Sequence, residues 1–189
     1  EMCIRDRYLI AFYGIWSMGA VILPINSKLH TKEVGWILEN AGCSYVLCEE
    51  SSISEINFPG VTVFNPKWQQ FDSNIHIPPV KRSSTDLAWL FYTSGTTGRP
   101  KGVMITHGMI KTMALSYFAD VDQVHPSDTT LYAAPMSHGA GLYSIMHVLA
   151  GARHAIPVSG GFDEEEIFGL AVTLQLSLIH ISEPTRPSR

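Results

Sequence analysis

Tyr92-Thr-Ser-Gly-Thr-Thr-Gly-Arg-Pro-Lys-Gly102 lies between two apolar runs, Leu87 to Tyr92 and Gly102 to Thr106, each of which reads as a strand. Four small hydroxyl side chains, three glycines and one lysine fill this single connection. Gly95, Gly98 and Gly102 open backbone conformations barred to other residues, so successive N–H groups can converge on an anion. Thr93, Ser94, Thr96 and Thr97 add hydroxyl donors, and Lys101 adds a mobile cation. The segment therefore reads as a phosphate site. It is not a Walker A loop, which needs Gly-Lys-Ser/Thr opening a helix; Lys101 stands between Pro100 and Gly102, ahead of a strand.

Working toward the N-terminus, Leu9, Phe12, Tyr13 and Trp16 recur at helical spacing and Gly19 closes that helix. Ala20 to Ile25 reads as a strand buried on both faces. Thr31 can cap a helix carrying Val34, Ile37, Leu38 and Ala41 on one stripe, Gly42 ends it, and Ser44 to Cys48 is the next strand, which together make a βαβ unit. Val61 to Asn65 gives another short strand, and Pro66 to Ser84 reads as a surface connection. Beyond the loop, a helix is expected from about His107 to Tyr117 and a buried strand over Thr129 to Ala134. A helix over Gly141 to Ala150 and a strand over His154 to Val158 come next, and Asp163 with Glu166 forms a capping-box start to a last helix. Strands alternate with helices throughout, without repeats, so the fold class is α/β, built of layered βαβ units.

The 189 residues carry 13 Lys+Arg against 17 Asp+Glu, with 46% hydrophobic residues and no basic run. That balance excludes disorder, and it argues against nucleic acid or an anionic membrane surface as partner, since both need a clustered positive field. The uncharged stretch Tyr8 to Ser27 is broken by Gly14, Gly19, Pro24 and Asn26, so neither a signal peptide nor an integral membrane segment is expected. Cys43 and Cys48 lack a nearby second pair and read as buried apolar residues; no metal ligands are assigned, and the low cysteine count suits a reducing, cytoplasmic setting.

Both ends read as foreign. Residues 1–7 (EMCIRDR) and the stretch LSLIHISEPTR from Leu176 resemble in-frame translations of sequencing adapters. Leu-Ser-Leu-Ile-His-Ile-Ser can be written CTG TCT CTT ATA CAC ATC TCC, and the reverse complement contains GAG ATG TGT ATA AGA GAC, which encodes Glu-Met-Cys-Ile-Arg-Asp. The expected organisation is thus residues 1–7 and 176–189 adapter-derived, with a native piece over 8–175 that remains net acidic once the terminal arginines are set aside.

The loop from Tyr92 to Gly102 resembles the phosphate-binding signature of the adenylate-forming superfamily of acyl-CoA synthetases, peptide-synthetase adenylation domains and luciferases. Ala134-Pro-Met-Ser-His-Gly-Ala-Gly-Leu142 is similar to that family's next motif, and Gly19-Ala-Val-Ile-Leu-Pro-Ile-Asn26 to its early strand. The resemblance implies part of the large N-terminal domain of an acyl-CoA synthetase. Such an enzyme joins a small carboxylic acid to ATP, giving acyl-AMP and pyrophosphate, and then passes the acyl group to coenzyme A. It implies that Thr93, Ser94, Gly95, Thr96, Thr97, Gly98 and Lys101 hold the β- and γ-phosphates with Mg2+ bridging them, and that Lys101 stabilises the departing pyrophosphate. His138 would line the acyl pocket beside the carboxylate, with Gly139 and Gly141 leaving room for substrate. The apolar tone of His138 to Leu142 suits an aliphatic or aromatic acid, as in fatty acid metabolism. The family's later motifs have no counterpart before Gln175, so the fragment alone is expected to be inactive. Two other readings stay open: an adenylation domain that loads a carrier protein, and a non-catalytic ATP- or AMP-binding relative.

Overall fold

A computed structural model describes residues 5–48, 58–64, 77–93, 99–159 and 162–180, and the chain divides into two compact units, Glu1–Ile110 and Lys111–Arg189. The first unit begins with α1 (Arg5–Ser17), whose Tyr8, Phe12 and Trp16 fall on one stripe. Phe12 is 2% exposed and its ring lies 4.9 Å from that of Trp89, edge to face. Trp89, wholly buried, belongs to β3 (Leu87–Thr93), and the Trp16 indole N–H donates to the Ala88 carbonyl at 2.9 Å. These contacts pin α1 to the strand that carries the Thr-Ser-Gly loop.

Gly19 does end the helix, at φ 71°, and the Arg82 guanidinium donates to its carbonyl. The strand expected over Ala20 to Ile25 shrinks to one parallel bridge, Ile22 to Trp89. Ile22 N–H donates to the Ala88 carbonyl and Leu90 N–H to the Ile22 carbonyl. The next donor in a parallel ladder would be residue 24, and Pro24 has no N–H, so pairing stops there.

Helix α2 (Thr31–Asn40) is capped by His30 rather than Thr31. His30 Nδ1 accepts from Lys32 N–H at 3.2 Å while the Glu33 carboxylate reaches back to His30 N–H at 3.1 Å, a reciprocal cap with imidazole in the usual hydroxyl role. Ile37 and Leu38 are buried, and Gly42 at φ 62° ends the helix as expected. β1 (Tyr45–Leu47) pairs in parallel with β2 (Thr62–Phe64). The expected βαβ unit is corrected accordingly, because the segment before α2 bridges β3 and not β1. Cys43 and Cys48 are half-buried rather than buried. Most of the connection expected over Pro66 to Ser84 lies outside the described residues, and the described part from Ile77 to Ser83 is exposed coil.

β3 turns back antiparallel into β4 (Lys101–Thr106), followed by α3 (His107–Asp120), within which the division between the units falls. The second unit is a parallel three-stranded sheet in the order β6 (Arg153–Ala155), β5 (Thr129–Tyr132), β7 (Leu178–His180). All four residues of β5 are buried, as a central parallel strand requires. Helix α4 (Gly139–Ala150) comes after β5 and ends at Gly151, φ 72°. Helix α5 (Glu164–Leu174) packs Ile167 against Leu131, Ala133 and Ala155, with Leu170, Leu174 and Ile179 at the margin.

Two local expectations change here. β6 ends at Ala155 instead of reaching Val158, because Pro157 cannot donate to the ladder. Asp163 caps α5 by accepting Glu166 N–H at 2.9 Å, but the Glu166 carboxylate does not complete the capping box. It accepts from the amides of Val158 and Ser159 at 2.5 and 3.1 Å, tying the loop after β6 to the first turn of α5. Arg5 to Arg7 open α1 and Leu178–His180 form β7, within stretches expected to be adapter-derived.

Candidate functional site

The residues expected to bind phosphate belong to the connection between β3 and β4. Its cross-strand register pairs Tyr92 with Gly102 and Thr93 with Lys101, so the last paired residues before the loop are a hydroxyl donor and a cation facing each other. Both are exposed, as is Arg99. An arriving anion therefore meets Lys101 without first stripping the ammonium from a buried partner. Ser94, Gly95, Thr96, Thr97 and Gly98 lie outside the described residues.

Beneath this mouth the Tyr92 ring covers Gly102. A Cβ at residue 102 would stand 2.9 Å from both Cε2 and Cζ of that ring. The Tyr92 hydroxyl donates to Asn40 Oδ1 at 2.7 Å, and the Trp36 ring meets Tyr92 edge to face at 6.2 Å. Partial burial, reinforced by Cys43, raises the Tyr92 phenol above its ordinary pKa, which keeps the hydroxyl a donor. Nothing in the sequence near Tyr92 points to Asn40 and Trp36. Their separation of half a hundred positions leaves no local signal, although Trp36 and Asn40 are one helical turn apart and so share a face of α2.

In the second unit, His138 stands between β5 and α4, at the N-cap position and with extended backbone. Its N–H donates to the Pro135 carbonyl at 3.2 Å and its carbonyl accepts from Gly141 N–H at 3.0 Å, so its backbone is fixed while its ring makes no cap to the helix. The ring is exposed. Gly139 and Gly141 form the first turn of α4, two residues earlier than the helix was expected to begin; a Cβ at Gly139 would meet nothing within 4 Å, whereas Gly141 is buried. His138 thus follows the carboxyl end of a parallel strand, the end at which α/β sheets place ligands, and stands at the positive end of a helix dipole.

Two other described histidines, His147 and His154, serve structure. His147 is 2% exposed, its Nδ1 3.0 Å from the Tyr143 carbonyl; His154 stacks on Tyr132, its Nδ1 2.9 Å from the tyrosine hydroxyl. Burial, with the neighbouring His147, pushes the His154 pKa down to about 4. Among the described residues no three His, Cys, Asp or Glu side chains gather where they could hold a metal ion, and no helix is long and apolar enough to cross a membrane.

A glycine- and hydroxyl-rich hairpin loop closed by a lysine, in an α/β chain, defines a nucleotide-binding protein. The family model described as AMP-binding enzyme matches residues 4–181, and the chain belongs to that family. Among its relatives, the long-chain-fatty-acid–CoA ligase FadD13 of Mycobacterium tuberculosis (strain ATCC 25618 / H37Rv) is 32% identical over 88% of this chain and 35% of the relative. Surfactin synthase subunit 2 of Bacillus subtilis (strain 168) is 29% identical over 78% of this chain and 4% of its own length. Two solved structures are similar. The inhibitor-bound N-terminal domain of FACL13 from Mycobacterium tuberculosis has a TM-score of 0.76 at 29% identity, covering 89% of this chain and 45% of that one. The O-succinylbenzoate coenzyme A synthetase of Bacillus subtilis, in complex with ATP and magnesium ion, has a TM-score of 0.80 at 25% identity, covering 93% and 37%. The chain therefore spans about a third of the ligase relatives it matches. The expected fold class, an α/β piece of the N-terminal domain of an adenylate-forming enzyme, agrees with these neighbours.

Proposed function

We propose that this chain is the phosphate-binding portion of an ATP-dependent carboxylate–CoA ligase. The observation that carries the reading is the hairpin register that sets Lys101 opposite Thr93 at the mouth of the Thr-Ser-Gly-Thr-Thr-Gly loop. Thr93, Ser94, Gly95, Thr96, Thr97 and Gly98 would bind the β- and γ-phosphates through hydroxyls and backbone amides, and Lys101 would offset the charge that grows on pyrophosphate as it leaves. Mg2+ bound with the nucleotide would lower the cost of bringing a carboxylate up to the polyanion that these residues hold. The carboxylate oxygen forms a bond to the α-phosphorus, the bridging oxygen leaves with pyrophosphate, and AMP becomes the leaving group when a thiol attacks the acyl carbon.

His138, Gly139 and Gly141 would line the acyl end. A fixed backbone and an exposed ring suit His138 to face a substrate carboxylate, and the apolar residues around it suit an aliphatic or aromatic acid. Coenzyme A is the proposed acceptor and the cytoplasm the proposed compartment, supported by a cysteine pattern that suits reducing conditions. The proposed domain is residues 8–175, and nucleotide sequence behind residues 1–7 and 176–189 decides it: reverse-complementary codons support the adapter reading, unrelated codons overturn it.

The test of activity is carboxylate-dependent ATP–pyrophosphate exchange by the complete protein encoded by the parent gene. Exchange that rises with an organic acid and is followed by acyl-CoA formation supports the ligase; no exchange with any acid refutes it. The similarity to surfactin synthase subunit 2 favours one alternative, an adenylation domain that loads a carrier-protein thiol. Exchange without transfer to coenzyme A, and with transfer to a carrier domain, would select it.

A further inference from the structure

We propose that Asn40 and Trp36 are positioning residues for the phosphate-binding hairpin: from one face of α2 they hold the Tyr92 ring against Gly102 and thereby set where Lys101 stands. The inference rests on the reading of Lys101 as a phosphate ligand.

Lys101 and Gly102 are the first residues of β4, whose first four residues are exposed, so no packing from that strand's own side chains fixes this end. Gly102 adds no side chain of its own and is the residue of β4 with the most backbone freedom. A tyrosine ring laid over a cross-strand glycine replaces the missing packing, provided that the ring itself is held. Here it is held twice. Trp36 meets it edge to face, and its hydroxyl donates to Asn40 Oδ1 at 2.7 Å. The two contacts come from residues one turn apart on a helix anchored by buried Ile37 and Leu38, so they act as one rigid support. A Cβ built at residue 102 would stand 2.9 Å from the ring, so the ring fills the space a side chain would take, and a ring that moves away frees the Gly102 backbone and the adjoining Lys101 to shift. Lys101 is also the residue paired with Thr93, so the displacement changes the spacing across the mouth of the loop.

The test is made on the 189-residue chain by calorimetric titration with magnesium pyrophosphate, together with amide NMR spectra of the ligand-free chain. Asn40→Ala and Tyr92→Phe should each weaken pyrophosphate binding about 3- to 10-fold, the range a single net hydrogen bond accounts for. The double variant should lose little more than either single one, because both remove the same bond. Asn40→Asp, which keeps an acceptor, should restore affinity to within about twofold of the unaltered chain, a rescue that loss of general helix stability would not give. In the ligand-free spectra Asn40→Ala should move the amides of Gly102 and Lys101 and leave those of residues 129–155 in place. Unmoved Gly102 and Lys101 amides overturn the proposal, as does unchanged affinity in Asn40→Ala while Lys101→Ala loses binding. If Lys101→Ala binds pyrophosphate as tightly as the unaltered chain, the phosphate reading itself fails and the positioning role falls with it, a result distinct from the other two.

Discussion

β4 and β5 serve opposite ends in one chain. The first is exposed over Lys101 to Met104 and presents a cation; the second is buried over its whole length and presents nothing itself. An antiparallel hairpin can aim a charged residue directly because register alone places Lys101 opposite Thr93, at a solvent-facing end. A parallel strand cannot carry a charge between two neighbours, so β5 acts through the turn at its carboxyl end: the chain leaves the sheet at Tyr132 and exposes His138 only at the N-cap of α4. One candidate site residue is part of its strand, and the other is a product of the turn after it.

The sharpest way to break this contrast is to truncate both strands. Leu131→Ala, at a fully buried position of β5, should cost about 2–5 kcal/mol in urea unfolding, while Met104→Ala, 68% exposed on β4, should cost less than about 0.5 kcal/mol. Similar losses would mean that β4 is packed like β5. Next in size, Lys101→Ala should weaken magnesium-pyrophosphate binding about 10- to 100-fold, as for a lost charge-assisted hydrogen bond, with the unfolding midpoint unchanged; equal affinity would remove the lysine from the site.

A pH effect should arise from the second unit. Folding holds His154 neutral with its pKa at about 4, below its ordinary value of 6.5, so unfolding takes up a proton between those values. Stability is therefore complete above pH 6.5, declines as pH falls toward 4, and owes nothing further to His154 below that. His154→Phe should flatten the decline between pH 6.5 and about 4.5, and an unchanged slope would assign it elsewhere. Asp128 and Glu166, held below their ordinary range mainly by donated hydrogen bonds, lose their contribution only at lower pH. Asp163→Ala, which removes one N-cap acceptor from α5, should cost about 1 kcal/mol by urea unfolding.

The parts of the fold legible in the sequence were local ones. The hairpin, α3, β5 and α4 are set by apolar runs and glycines, and the lysine at the loop mouth by its place between Pro100 and Gly102. Pro24 and Pro157 were visible too, but their effect needed the pairing partner: each stops a ladder because its N–H would have been the next donor. The His30 cap escaped because an imidazole rarely replaces the hydroxyl that Thr31 offered next door. Glu166 escaped because a residue three past an aspartate suits a capping box equally whether it turns back or, as here, reaches the amides of Val158 and Ser159. The Asn40–Tyr92 bond is tertiary, and nothing local in either segment announces it.

The packing of α1 against β3 has an optical consequence. All four tryptophans, Trp16, Trp36, Trp68 and Trp89, precede Lys111, so indole emission excited near 295 nm, a wavelength of roughly tryptophan-only absorption, comes from the first unit alone. The ring of Phe12, 4.9 Å from that of Trp89, gives the buried Trp89 indole an apolar setting, while the second unit absorbs through tyrosine. A red shift on adding denaturant therefore dates the opening of the first unit, independently of the sheet that His138 follows.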